Sequence, residues 1–129
     1  MVTDDESLTR HSTIRIIKSC AKELGYKINI IEAEDGIDAI YCVYKSWTLG
    51  IHISMILSDE NMIFLNGTKC SQVLYDLCQK HKKPYIPFYL VTAYEGDYIK
   101  RDYGTSIKVV ISKPLEKSTA KKLIEENNN

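Results

Sequence analysis

The chain has 129 residues, 44% hydrophobic and 26% charged, the proportions of one globular domain with a single core. Seventeen Lys and Arg balance seventeen Asp and Glu, so no net field draws the chain to nucleic acid or an anionic membrane, and direct contact with either is not expected. No run of about 18 apolar residues exists to span a bilayer, "MVTDDESLTR" has no signal-peptide pattern, and Cys20, Cys42, Cys70 and Cys78 lack CxxC spacing; a soluble, cytoplasmic domain with reduced core cysteines is expected.

In chain order, Ile14, Ile17, Ala21 and Leu24 recur at helical spacing between Ser7 and Leu24, and Gly25 supplies a stop. "KINIIEA", residues 27–33, is short, rich in isoleucine and closed by "EDG", which reads as a strand. A second helix follows, with its apolar stripe expected on Ile37, Ile40, Tyr41 and Tyr44 and its end near Trp47. The near-continuous apolar run "ISMILS", residues 53–58, suits a strand covered on both faces, with Asp59 at its C-terminal end. After Gly67, the positions Cys70, Val73, Leu74, Leu77 and Cys78 give the clearest amphipathic helix, closed by "HKKP".

"PFYLVTA", residues 87–93, and "KVVIS", residues 108–112, read as two more buried strands, separated by a stretch with only a weak helical pattern. A last helix from about Glu116 to Glu126 buries Ala120, Leu123 and Ile124, and residues 127–129 are expected to fray. Strands alternating with helices predict a single α/β domain over 1–129, its parallel sheet covered on both faces by right-handed crossovers. In such sheets the ligand site lies at the carboxyl ends of the strands.

Those ends carry Asp4 and Asp5, then Asp59, then Thr92, then Lys113 followed by Pro114. Three carboxylates gathered from two strand ends repel one another unless a cation is present. Mg²⁺, a hard ion that takes oxygen ligands and keeps waters for a phosphate to displace, fits them. With Asp4 and Asp5 holding the metal, Asp59 can give it one oxygen and attack phosphorus with the other, forming an acyl phosphate. Lys113 would offset charge on the phosphoryl oxygens, and Thr92 would donate a hydrogen bond to the group once transferred.

These residues resemble the receiver domains of two-component response regulators. "TDDES" is similar to that family's acidic pair after strand one, "DENMIFLNG" to its D-x-x-M-P-x-x-x-G stretch, "VTA" to its switch hydroxyl and "SKP" to its lysine-proline step. The resemblance covers essentially the whole chain, and the "SDENM" and "SKPL" spellings look most like receivers of eukaryotic hybrid histidine kinases. It implies a flavodoxin-like, doubly wound sheet of five strands in the order 2-1-3-4-5. It also implies Asp59 as phosphoacceptor, Asp4, Asp5 and the Asn61 backbone carbonyl as the remaining Mg²⁺ ligands, and Thr92 and Lys113 as sensors of the phosphoryl group. The implied donor is a histidine kinase or histidine phosphotransfer protein, and the chemistry is self-phosphorylation with slow self-dephosphorylation rather than conventional turnover. Pro114 would follow a cis peptide bond, Asn61 and Tyr94 would tune dephosphorylation, switching would run through Thr92 and segment 94–103, and the face made by the fourth helix, fifth strand and fifth helix would form the partner surface.

The sequence departs from that pattern at three points. Ile63 stands where a proline is usual, which loosens the turn after Asp59, and Val110 stands where many receivers carry the aromatic residue that swings with the threonine. Strand one is a stub, which suggests a domain excised from a longer parent. A phosphorylation-independent docking module is the rival reading; a flavin binder is disfavoured by the acids of "TDDES", and a dehalogenase-type phosphatase by Asn61, where a second aspartate would be needed. Taken singly, Asp4 and Asp5 could merely cap the first helix, and His11 and His81 have no metal-ligand companions. Oligomeric state is not legible.

Overall fold

The computed structural model of the chain describes residues 1–93 and 106–128. Five strands, β1 (Val2–Thr3), β2 (Glu32–Ala33), β3 (Ile56–Asp59), β4 (Phe88–Thr92) and β5 (Val109–Ser112), form one parallel sheet in the order β2-β1-β3-β4-β5. Helices α1 (Ser7–Leu24), α2 (Gly36–Leu49), α3 (Gly67–Lys80) and α4 (Lys117–Glu126) cover it. This is the flavodoxin-like architecture expected. The weak helical pattern of 94–106 lies almost wholly outside the described residues.

Successive strand residues point to opposite faces, so each central strand feeds two cores. Ile56, Phe88 and Leu90 join Ala39, Val43, Cys70 and Leu74 beneath α2 and α3. Leu57, Tyr89 and Val91 join Ile17, Cys20, Ala21, Leu123 and Ile124 beneath α1 and α4. The four cysteines are free, three of them buried; burial pushes the Cys70 thiol up to about 12, as suits an inert core residue.

Four local expectations differ from the structure. The strand expected over 27–33 is paired only at Glu32 and Ala33, because β1 offers only Val2 and Thr3 for its register. β5 is the edge of the sheet, bonded to β4 alone, and Val109 is exposed rather than buried. Asn127, placed at the end expected to fray, is hydrogen-bonded: its side-chain amide donates to the Tyr89 hydroxyl at 2.9 Å and the Leu123 carbonyl at 2.8 Å. Of the stripe expected on α2, Ile40 packs against the core, but Ile37, Tyr41 and Tyr44 face outward, exposed by 55%, 60% and 52%.

The buried face of α2 is instead Gly36, Ala39, Val43 and Ser46. Its first turn approaches the loop before α3 so closely that a Cβ at Gly36 would lie 2.7 Å from the Leu65 carbonyl oxygen. The Cys70 thiol also points to the Gly36 carbonyl, at 3.5 Å. Only small side chains fit such an approach, and they turn the large ones to solvent.

Candidate functional site

Four chain segments leave the sheet at the same end. Asp4 follows β1, Asp59 closes β3, Thr92 closes β4, and Lys113 follows β5. The register pairs Asp59 with Val91 and Thr92 with Ser112, which levels these strand ends.

Carboxylate oxygens of Asp4, Asp5 and Asp59 all lie within 4.8 Å of one another. Lys113 Nζ reaches Asp59 Oδ1 at 3.2 Å and Asp4 Oδ2 at 3.7 Å. Burial, with the charges of Asp59 and Asp5 adding to it, holds the Asp4 carboxyl above the usual carboxylate range, against the opposing pull of the Glu6 N–H and Lys113. One lysine cannot neutralise three acids. Such a set of hard oxygens fits a Mg²⁺ ion.

Each acid is also positioned by the backbone. Asp59 Oδ1 accepts the Glu60 N–H at 2.8 Å, and Asp4 Oδ1 accepts the Glu6 N–H at 2.9 Å. The capping role weighed for Asp4 and Asp5 is not made: Glu6 is the N-cap of α1, no side chain caps that helix, and Asp4 instead accepts the N–H of Glu6 just before the helix starts. Asp5 Oδ2 accepts the Ile63 N–H at 3.0 Å. A proline at 63 has no N–H to give, so the isoleucine, expected only to loosen this turn, adds a donor that holds Asp5.

Behind the acids, α3 begins hard against β3. A Cβ on Gly67 would lie 2.6 Å from Leu90 Cδ1 and closer still to the Asp59 carbonyl, so glycine alone fits. The Glu60 carboxylate accepts the Thr68 N–H at 2.8 Å, fastening the residue after Asp59 to the first turn of α3. Thr92 is buried, its carbonyl accepting the Lys113 N–H at 2.8 Å, and the Lys113–Pro114 peptide bond is cis as expected. Asn61, two residues after Asp59, is exposed, and Tyr94 lies outside the described residues. Val110, at the place of the usual aromatic switch, is partly buried against the core under α2 and α3.

Two positioning residues were not found in the sequence. Arg10 is buried and donates to the Asp4 carbonyl at 2.8 Å and to Glu32 at 3.1 Å, tying α1 to the acidic corner and to β2. Its partner Glu32 stands 22 residues away in the chain, and no local spacing announces the pair. Glu60 could have been found, as an acid near the start of the clearest helix, where it meets unpaired N–H groups.

No family model and no curated protein matches the sequence. Solved structures do match. A two-component response regulator from Cytophaga hutchinsonii superposes with a TM-score of 0.78 at 20% identity, covering 97% of this chain and 92% of that one. The receiver domain of the Saccharomyces cerevisiae response regulator Ssk1, crystallised with the histidine phosphotransfer protein Ypd1, gives 0.77 at 19% identity, over 98% and 85% of the two chains. The signal receiver domain of a Mycobacterium tuberculosis response regulator, NarL, gives 0.74 at 17% identity, over 97% and 90%. The chain has the fold of response regulator receiver domains, with an acidic cluster of three aspartates at the carboxyl end of its sheet. Among the described residues, no helix is long and apolar enough to cross a membrane.

Proposed function

We propose that this chain is a phosphoacceptor signalling domain that takes a phosphoryl group from a phosphohistidine onto Asp59. The observation that carries the reading is the convergence of Asp4, Asp5, Asp59 and Lys113 at one corner of a receiver fold. Asp4, Asp5, Asp59 and the backbone carbonyl of Asn61 would hold Mg²⁺. The ion supplies charge neutralisation and a template for the phosphoryl oxygens.

Asp59 Oδ1 already accepts the Glu60 N–H and faces Lys113, so the attack falls to Oδ2. The new O–P bond forms as the P–N bond breaks, and the donor imidazole leaves with the bonding pair. The Lys113 ammonium lies where charge develops on the phosphoryl group, and the Thr92 hydroxyl, at the end of the adjacent strand, donates to that group once transferred. The added charge and acceptor oxygens then bias an existing conformational equilibrium, changing a surface that a partner reads. A histidine kinase or histidine phosphotransfer protein would be the donor, as the pairing of Ssk1 with Ypd1 suggests. On this reading the domain works in two-component or phosphorelay signalling.

Intact mass after incubation with acetyl phosphate, with and without Mg²⁺, tests the reading. A single phosphoryl adduct is expected that requires Mg²⁺ and disappears in Asp59→Asn. Lys113→Ala should slow its formation about 10²-fold. Adduct formation by a folded Asp59→Asn variant, or none by the folded wild-type domain, would overturn it; the second outcome favours a phosphorylation-independent docking module.

A further inference from the structure

We infer that the outer face of α2, with the turn that follows α3, docks an acidic amphipathic segment of a partner protein. Ile37, Tyr41 and Tyr44 form a stripe at i, i+4 and i+7, each more than half exposed, and exposed Leu49 and Ile51 follow beyond it. A stripe so regular normally faces a core; here α2 already buries its opposite side, so the stripe is left for something outside the domain.

The charges beside the stripe specify the occupant. Lys45 Nζ lies 5.7 Å from the centre of the Tyr41 ring and Lys83 Nζ 6.0 Å from that of Trp47. The His81 ring sits 5.8 Å from Tyr44 and 5.5 Å from Trp47, and Lys80 and Lys82 are exposed on either side of it in the chain. Among the described residues, no salt bridge uses Lys45, Lys80, Lys82 or Lys83. Tyr44, Trp47, Thr48, His81 and Lys83 together line a shallow depression that contains no carboxylate. Glu34 and Asp38 stand at the start of the stripe beside Ile37, and the cations gather from Tyr41 onward; that cationic stretch is matched by a segment whose apolar side chains alternate with carboxylates at helical spacing.

Stacked bases are a poorer match. The rings of Tyr44, Trp47 and His81 meet one another at 53°, 82° and 48°, so they offer edges rather than a row of parallel faces. The surface is also independent of phosphoryl chemistry. α2 starts at the site end of the sheet and runs back against the strands, so Ile37 stands near that end while Tyr44, Trp47 and His81 lie towards the end far from Asp59, and an occupant seated on those three rings leaves the acidic corner open.

The test pans a random-peptide display library against the folded domain and measures the selected peptide, fluorescently labelled, by anisotropy. Its partners are the wild type, Tyr41→Ser/Tyr44→Ser and Lys45→Glu/Lys83→Glu, each with a wild-type circular dichroism spectrum. The expected consensus combines Asp or Glu with Leu, Ile or Phe at helical spacing. Each double variant should raise Kd at least tenfold, and added salt should weaken binding. The inference fails if the selected peptides are basic, if no selected peptide responds to the double variants, or if a single-stranded oligonucleotide of similar length binds the same face more tightly. It fails equally if sedimentation shows the domain pairing with itself through Tyr44.

Discussion

Helices α2 and α3 are each 14 residues long, lie side by side on one face of the sheet, and are capped alike, by Asp35 accepting the Asp38 N–H and Asn66 the Lys69 N–H, both at 2.8 Å. They bury opposite kinds of surface. α3 inserts Cys70, Leu74 and Cys78, as its periodicity announces, although Val73 of the same expected stripe is exposed, whereas α2 turns its tyrosines and Ile37 out and buries a stripe of small residues. Apolar periodicity therefore locates a helix but settles its orientation only when one stripe is available. Where a second stripe of Gly, Ala, Val and Ser competes, the closeness of the neighbouring backbone decides.

That contrast can be broken or sharpened by substitution, with stability read from denaturant unfolding. The largest effect is expected on the buried side of α3: Leu74→Ala should cost about 2–5 kcal/mol through transfer and cavity terms, since Leu74 is 1% exposed. Ala39→Leu, on the small stripe of α2, should cost about 1–3 kcal/mol by overpacking, since Ala39 is fully buried. A neutral result there would mean that α2 can rotate. Asp35→Ala and Asn66→Ala should each cost about 1 kcal/mol, equally, because the caps are alike. Tyr44→Ala should fall within about 0.5 kcal/mol of wild type, and a larger loss would place the stripe in the fold after all.

The smallest effect lies on the other face of the sheet. Hydrogen bonds from Lys121 and then Lys117 lower the Glu23 carboxyl below its ordinary range. A carboxylate so lowered stabilises the fold above its unfolded pKa, and the contribution disappears as pH falls through the folded value. Glu23→Gln should thus differ slightly from wild type at neutral pH, converge with it in acid, and be indistinguishable at high salt, because all three side chains are exposed to solvent.

Much of the architecture was legible because each element carried its own signal: isoleucine-rich runs, the stop at Gly25, the amphipathic run after Gly67. The end of α1 at Leu24 was readable from that stop. The short pairing of β2 and the exposure of β5 were not, since both depend on what a strand finds beside it. At the candidate site, Asp4, Asp5, Asp59 and Lys113 were readable from their places at strand ends. Arg10 and the Ile63 N–H were not, because their value comes from partners far along the chain, 22 residues for Arg10 with Glu32 and 58 for Ile63 with Asp5.

Trp47 is the single tryptophan of the chain, and its ring straddles a boundary. One side packs against the core around Leu74, and the other lies beneath Lys83 and beside His81. Its emission therefore carries two signals of opposite sign. Unfolding wets the inner side and moves the spectrum to the red, while anything that covers the outer side excludes water and moves it to the blue. One cuvette can thus separate loss of the fold from occupation of its surface, without a label.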